Sequence, residues 1–201
     1  MPPDARVLVP TPLVPERATA VRGTVLMASQ EALKKGGYFD RYASNVDDAY
    51  RKKLLDEIVP NTWLGIDQAM AHYRACEALG LDAAVIHEMG TAVGDRINSV
   101  FVKSLIHLAS GTVQPWFAWQ LAPRVWARAW KGSAVGVRKM GPTEARVDVV
   151  GFPCASISYV RVSLAAFFAK NTQLFCRTAV ARQVRSSSDS PESVSYAVSW
   201  L

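Results

Sequence analysis

Cysteine and histidine are scarce, with 3 of each among 201 residues. Three scattered thiols (Cys76, Cys154 and Cys176) exclude a disulfide scaffold and fit a reducing, cytoplasmic setting. Long apolar runs are missing as well. The longest lie near 149–154 and 162–169, far short of the roughly 18–20 residues of a membrane span. Met1-Pro2-Pro3-Asp4-Ala5-Arg6 shows no basic segment leading into an apolar run, so no secretory signal is expected. There is no Gly-x-Gly-x-x-Gly, no phosphate-binding Gly-Lys-Ser/Thr loop and no Gly-x-Ser-x-Gly elbow. Basic residues are spread out and form no Lys/Arg-rich run of the kind that marks a nucleic-acid patch.

What remains is an ordinary globular composition, 50% hydrophobic and 20% charged, and one domain's worth of chain. Charge is uneven. Residues 1–100 carry a net −2 and residues 101–201 a net +8. A basic half suits an acidic partner or anionic lipid as well as a plain solvated surface.

Five prolines in the first 20 residues mark an irregular arm, within which Val7-Leu8-Val9 suits a short strand. Residues 21–201 read as a single α+β domain. Its first part, 21–131, is mostly helical. Helices are expected over 22–35, stopped by Gly36-Gly37, over 47–58, ended by Pro60, and over 63–78, stopped by Gly80. A long apolar stripe runs from Ala83 through Ile86, Met89, Val93 and Ile97 to Leu105 and Leu108. Pro115 and Pro123 each suit a first helical turn, so two short helices meeting at Pro123 are expected. On the second, Arg124, Arg128 and Lys131 share one face, opposite Trp126 and Trp130.

After Gly132 the apolar period changes from 3.6 to 2. Strands are expected over 134–140 and 144–151, around the turn Gly141-Pro142-Thr143. A helix follows over 157–169, then a strand within 173–184 that aligns Leu174, Cys176, Thr178 and Val180. Val194, Tyr196, Val198 and Trp200 alternate with Ser195, Ala197 and Ser199, the cleanest strand in the chain. The result is an N-terminal helical layer packed on a C-terminal antiparallel sheet of β-β-α-β-β order, with four or five strands.

Several short stretches carry a family resemblance. They are Val21-Arg22-Gly23-Thr24-Val25-Leu26, Val59-Pro60-Asn61-Thr62-Trp63, Met89-Gly90-Thr91-Ala92-Val93-Gly94, Gly141-Pro142-Thr143-Glu144-Ala145-Arg146-Val147 and Tyr196-Ala197-Val198-Ser199-Trp200. With this element order they resemble a paralogous myxobacterial domain family of about 200 residues whose members carry no assigned chemistry, so no catalytic residue transfers. More distantly, the layout is similar to a ligand-binding superfamily. That group includes the haem nitric-oxide sensors, the 4-vinyl-reductase-type domains and the Golgi transport-particle subunits. The haem sensors mark their propionate site with Tyr-x-Ser-x-Arg. The nearest string here, Tyr42-Ala43-Ser44-Asn45-Val46, lacks the arginine, so the sequence does not support haem.

Candidate chemistry is sparse. His72 and Cys76, spaced i, i+4, can face one metal or form a plain helix pair; zinc needs three or four ligands, and no second pair exists. His87 and His107 each flank an apolar stripe, where a histidine can ligate haem iron or bond a neighbour. Cys154 precedes a helix start but has no histidine near it in sequence. The tryptophans are the strongest signal. Trp116, Trp119, Trp126 and Trp130 fall within fifteen residues. With Phe152, Tyr159 and Arg161 they suit the wall of an apolar pocket between helices and sheet, or ordinary core packing. Arg161, Arg177 and Arg182 offer a carboxylate clamp near the sheet, or solvated charge. The leading expectation is a non-enzymatic sensory or regulatory module for an apolar or amphipathic small molecule. The alternative is an interaction or dimerisation module with a filled core. An enzyme with a diffuse site is a third, weaker option.

Overall fold

The computed structural model describes residues 6–101, 114–186 and 188–201. His107, with Leu105 and Leu108 of the expected stripe, lies outside the described residues. Seven helices are described: α1 (Gly23–Lys35), α2 (Phe39–Asn45), α3 (Asp48–Leu55), α4 (Ile66–Glu77), α5 (Ala83–Phe101), α6 (Pro115–Ala129) and α7 (Ser158–Thr172). Eight strands accompany them: β1 (Arg6–Val9), β2 (Ala20–Arg22), β3 (Trp63–Gly65), β4 (Trp130–Lys131), β5 (Ala134–Gly141), β6 (Glu144–Val150), β7 (Ala179–Val184) and β8 (Val194–Trp200).

The large sheet runs β1-β5-β6-β8-β7. All its neighbours are antiparallel. Its C-terminal part is the expected β-β-α-β-β, with the β5–β6 hairpin closed at Pro142-Thr143. Alternation sets which face is inside. Val137 pairs with Val147, and Val147 with Tyr196, and all three are buried. Each buried valine contributes about 1.5–3 kcal/mol. Phe168 of α7 meets the Tyr196 ring at 5.3 Å, and Tyr196 Oη donates to the Arg161 carbonyl at 2.8 Å, so α7 covers this face.

On the opposite face Asp148 is 1% exposed. It accepts from Arg138 Nη2 at 2.9 Å, Arg146 Nε at 3.0 Å and the Ser195 hydroxyl. Burial works against its ionisation, but Ser195 and the two guanidiniums outweigh it and hold the carboxyl below the usual range.

Several expectations change. Trp63 and Leu64, read as helical, form β3, and helix α4 starts at Ile66. The pairing Val21–Leu64 explains this: β2 recruits the segment into a second sheet, β3-β2-β4, that local periodicity does not show. Pro123 does not divide two helices. It lies inside α6, whose Trp119 and Trp126 are both buried, so packing on either side of the proline overrides its cost of about 3 kcal/mol. The strand expected within 173–184 begins only at Ala179. Leu174 and Cys176 sit in the connection, and Cys176 Sγ donates to the Thr172 carbonyl at 3.2 Å. Helix α2 was not expected.

The arm is stitched to the sheet ends. Ala18 N donates to Gly151 O at 2.7 Å and Ser133 N to Glu16 O at 2.9 Å. Gly151 has φ 66°, and a Cβ there would collide with the Glu16 carbonyl, so only glycine suits the position. Gly90 does the same for helices. A side chain there would strike the Ser163 backbone, and its absence lets α5 lie directly on α7. Among the described residues no helix is long and apolar enough to cross a membrane.

Candidate functional site

The close approach of α5 and α7 is not matched by α6. Between the three helices, over the sheet, lies a cavity of about 140 Å³. The α5 stripe supplies Met89, Val93 and Ile97, and α7 supplies Val160, Leu164 and Phe167. Trp119, Ala122 and Trp126 come from α6, and Val135 and Phe152 from the sheet side. Phe117 and Leu174 are half-exposed at its edge.

Of the residues singled out from sequence, Trp119, Trp126, Trp130, Phe152 and Tyr159 all stand on this wall. Phe152 meets Trp130 edge-on at 4.7 Å and Trp126 at 5.3 Å. Trp126 Nε1 donates to Ser133 Oγ at 2.8 Å, fixing its ring. Trp119 faces Phe168 at 5.8 Å, and its Nε1 is buried with no acceptor among the described residues. Two residues stand elsewhere. Trp116 packs on Trp200 at 4.7 Å and donates to Pro142 O at 3.0 Å. Arg161 folds back onto Ala155 O at 2.9 Å and Ser156 O at 3.1 Å and is not on the wall.

At one side the cavity meets a buried polar chain that the periodicity did not reveal. His72 is fully buried, with Nδ1 2.7 Å from Tyr42 Oη and Nε2 2.9 Å from Ser29 Oγ. Gln30 Nε2 donates to Tyr42 Oη at 3.3 Å and to Leu54 O at 2.7 Å. Burial drives the His72 pKa down to about 3, so the ring is neutral. Cys76 Sγ is 3.8 Å from His72 Nε2, and burial raises its thiol. With both ring nitrogens engaged by hydroxyls, His72 and Cys76 form a core pair rather than a ligand pair. Cys154 is buried in the turn Pro153–Ser156, and burial pushes its thiol up to about 12, far from a reactive thiolate. His87 is exposed and off the cavity wall. Among the described residues no three His, Cys, Asp or Glu side chains gather to hold a metal.

No protein-family model matches the chain, and no curated protein does. Solved structures do. An oxygen-binding H-NOX domain related to soluble guanylate cyclases, in its oxygen complex, superposes with a TM-score of 0.59 at 9% identity, covering 89% of this chain and 94% of that one. A structure that probes the function of haem distortion in the H-NOX family gives 0.61 at 9% identity, with coverage of 89% and 94%. A point variant of the T. tengcongensis H-NOX domain gives 0.58 at 9%, with 89% and 97%. The chain therefore has an H-NOX-like fold, the distant similarity expected from its element order.

Proposed function

We propose that this chain is a ligand-sensing module that holds a small apolar or amphipathic molecule in the cavity between α5, α6, α7 and the sheet, and reports it to a partner. The observation that carries the reading is the cavity itself, about 140 Å³ of apolar-walled space between the helices and the sheet, open at the edge where Phe117 and Leu174 stand. An engineered cavity of about 150 Å³ stays dry and binds benzene. This one suits an occupant of similar bulk. The H-NOX-like fold supports the reading by analogy, since its neighbours include an oxygen-binding domain. Filling the space would bear on α6, which joins the cavity to the small sheet through β4.

The fold family implies haem, and the described residues do not fit it. Haem needs an axial donor, and its propionates favour nearby cations. Among the described residues the cavity wall carries no histidine, cysteine, lysine or arginine. His72 has both nitrogens bonded, and His87 is exposed elsewhere. Tyr73 and Tyr159 do reach the wall, but burial raises both phenols well above their ordinary values, against a phenolate ligand.

A second reading is favoured by Phe117 and Leu174, apolar and half-exposed at the cavity edge. They suit a face covered by a partner protein or a second copy. Native mass spectrometry of protein purified without denaturant, with an absorption scan, separates the two. The sensing reading expects a reproducible extra mass, or, for empty protein, a rise in Tm with benzene. Saturation to 100 Kd should add about 2.7 kcal/mol. A clean mass with no benzene response overturns it, and a discrete oligomer would then favour the interaction module.

A further inference from the structure

The large sheet ends at β7, which pairs with β8 on one side only among the described residues. Its hydrogen bonds fix which backbone groups face the open edge. Thr178 and Leu201 exchange a pair of bonds, Thr178 N to Leu201 O at 3.3 Å and Leu201 N to Thr178 O at 3.0 Å. Such pairs alternate in an antiparallel ladder, so the next are Val180–Ser199, Arg182–Ala197 and Val184–Ser195. The far side of β8 agrees, since Trp200 N donates to Thr143 O at 3.1 Å, away from β7. The N–H and C=O groups of Ala179, Ala181 and Gln183 therefore point away from β8. Ala179 O accepts from Gln173 Nε2 at 3.3 Å. The outward groups of Ala181 and Gln183 have no partner among the described residues.

A row of this kind is a template for another strand, and proteins often blunt it with a proline or a bulge. The six residues of β7 contain neither.

Side chains specify what an added strand must carry. Ala179 and Ala181 lie beside Trp200 and Val198, on the face that α7 covers. The alternate positions Val180, Arg182 and Val184 line the other face. Val180 is 63% exposed. Arg177, Arg182 and Arg185 are all exposed, and residues 177–186 hold no acid. Across neighbouring strands opposite charges attract and like charges repel. A second copy on this edge would bring two such sets of guanidiniums to one seam, whereas an acidic strand would complement them.

We propose that β7 is the docking edge for an extended acidic segment of a partner protein. The segment adds a strand through the free groups of Ala181 and Gln183. It sets a carboxylate against Arg182, between apolar residues against Val180 and Val184. The preferred pattern is apolar-x-acidic-x-apolar, the same in either strand direction. Main-chain bonds supply affinity, and the alternate side chains supply selectivity. The edge is separate from the cavity wall, so the proposal does not depend on what the cavity holds.

The test is an NMR titration of the isotope-labelled full chain with two end-capped peptides. One is Ser-Thr-Val-Thr-Glu-Thr-Val-Thr-Ser, and the other has Lys in place of Glu. The Glu peptide should bind about fivefold tighter. Its binding should slow hydrogen exchange at the Ala181 and Gln183 amides, while the Arg182 amide, already bonded to β8, changes little. Arg182→Glu should reverse the preference. Ala181→Pro removes an outward N–H and no bond to β8, so binding should be lost while the sheet's other resonances persist. No shift at millimolar peptide, equal affinities for the two peptides, or protection outside β7 overturns the proposal. So does a concentration-dependent dimer whose Ala181 and Gln183 amides are protected without peptide, which would assign the edge to a second copy.

Discussion

Where α1 meets α2 and α4, the core is closed by hydrogen bonds. Gln30, Tyr42, His72 and Ser29 hydrogen-bond one another in sequence, with distances of 2.7–3.3 Å. Where α5, α6 and α7 meet over the sheet, the core is closed by the shapes of rings and branched chains, and about 140 Å³ is left over. The difference teaches where a fold of this kind can tolerate space. A gap in the polar region would leave buried donors and acceptors unpaired, at about 1–3 kcal/mol each. A gap among apolar groups costs only lost dispersion and transfer energy, and a suitable ligand returns both.

Five changes break or sharpen this contrast. His72→Ala should cost the most, roughly 3–4 kcal/mol in urea denaturation, because it opens a void and strands Tyr42 and Ser29. A loss under 1 kcal/mol would mean that the chain is not a structural unit.

Acid should follow. The native His72 pKa of about 3 lies below the ordinary value of about 6.5, so the native state refuses a proton that the unfolded chain accepts. Above about pH 6.5 the ring is neutral in both states and costs nothing. As pH falls from there toward about 3, stability should decline by up to about 1.4 kcal/mol per unit. Replacing His72 by Phe should flatten the profile by one proton between about pH 6 and 4, since carboxylate effects are common to both proteins. Parallel profiles would contradict a buried neutral ring.

Tyr42→Phe should cost about 1–2 kcal/mol, by removing the hydroxyl that joins Gln30 to His72. On the other wall, Ala122→Leu should change stability by no more than about 1 kcal/mol while abolishing benzene-induced stabilisation. A large loss would show that the wall has no room. Trp119→Phe should be the smallest, near zero or slightly stabilising, because the N–H it removes has no partner among the described residues. Thermal melts of these two variants beside Tyr42→Phe give the contrast directly.

The aromatic residues of the site were legible before the structure because large apolar groups clustered in a proline-punctuated segment are visible in sequence. What they surround was not. The tryptophan cluster fits a packed core as well as a pocket, and only the separation of α6 from α5 and α7 distinguishes the two. The polar chain was harder to see. Ser29 and His72 are 43 positions apart, and no local period links them. A fully buried histidine between two hydroxyls reads in sequence as a helical histidine near a cysteine.

Local physics accounts for what the sequence settled alone. Period-2 alternation after Gly132, the Gly141-Pro142-Thr143 turn and the alternation at Val194–Trp200 define strands whose faces must segregate, and those features specify β-β-α-β-β. Other features needed distant partners. Residues 63–65 become a strand because β2 lies beside them, and α6 continues through Pro123 because Trp119 and Trp126 find burial on both sides of it. The cavity and the Gln30-to-Ser29 chain arise from how whole helices stack. Space between side chains and hydrogen bonds across the core are properties of pairs far apart in the chain, so only the tertiary structure could decide them.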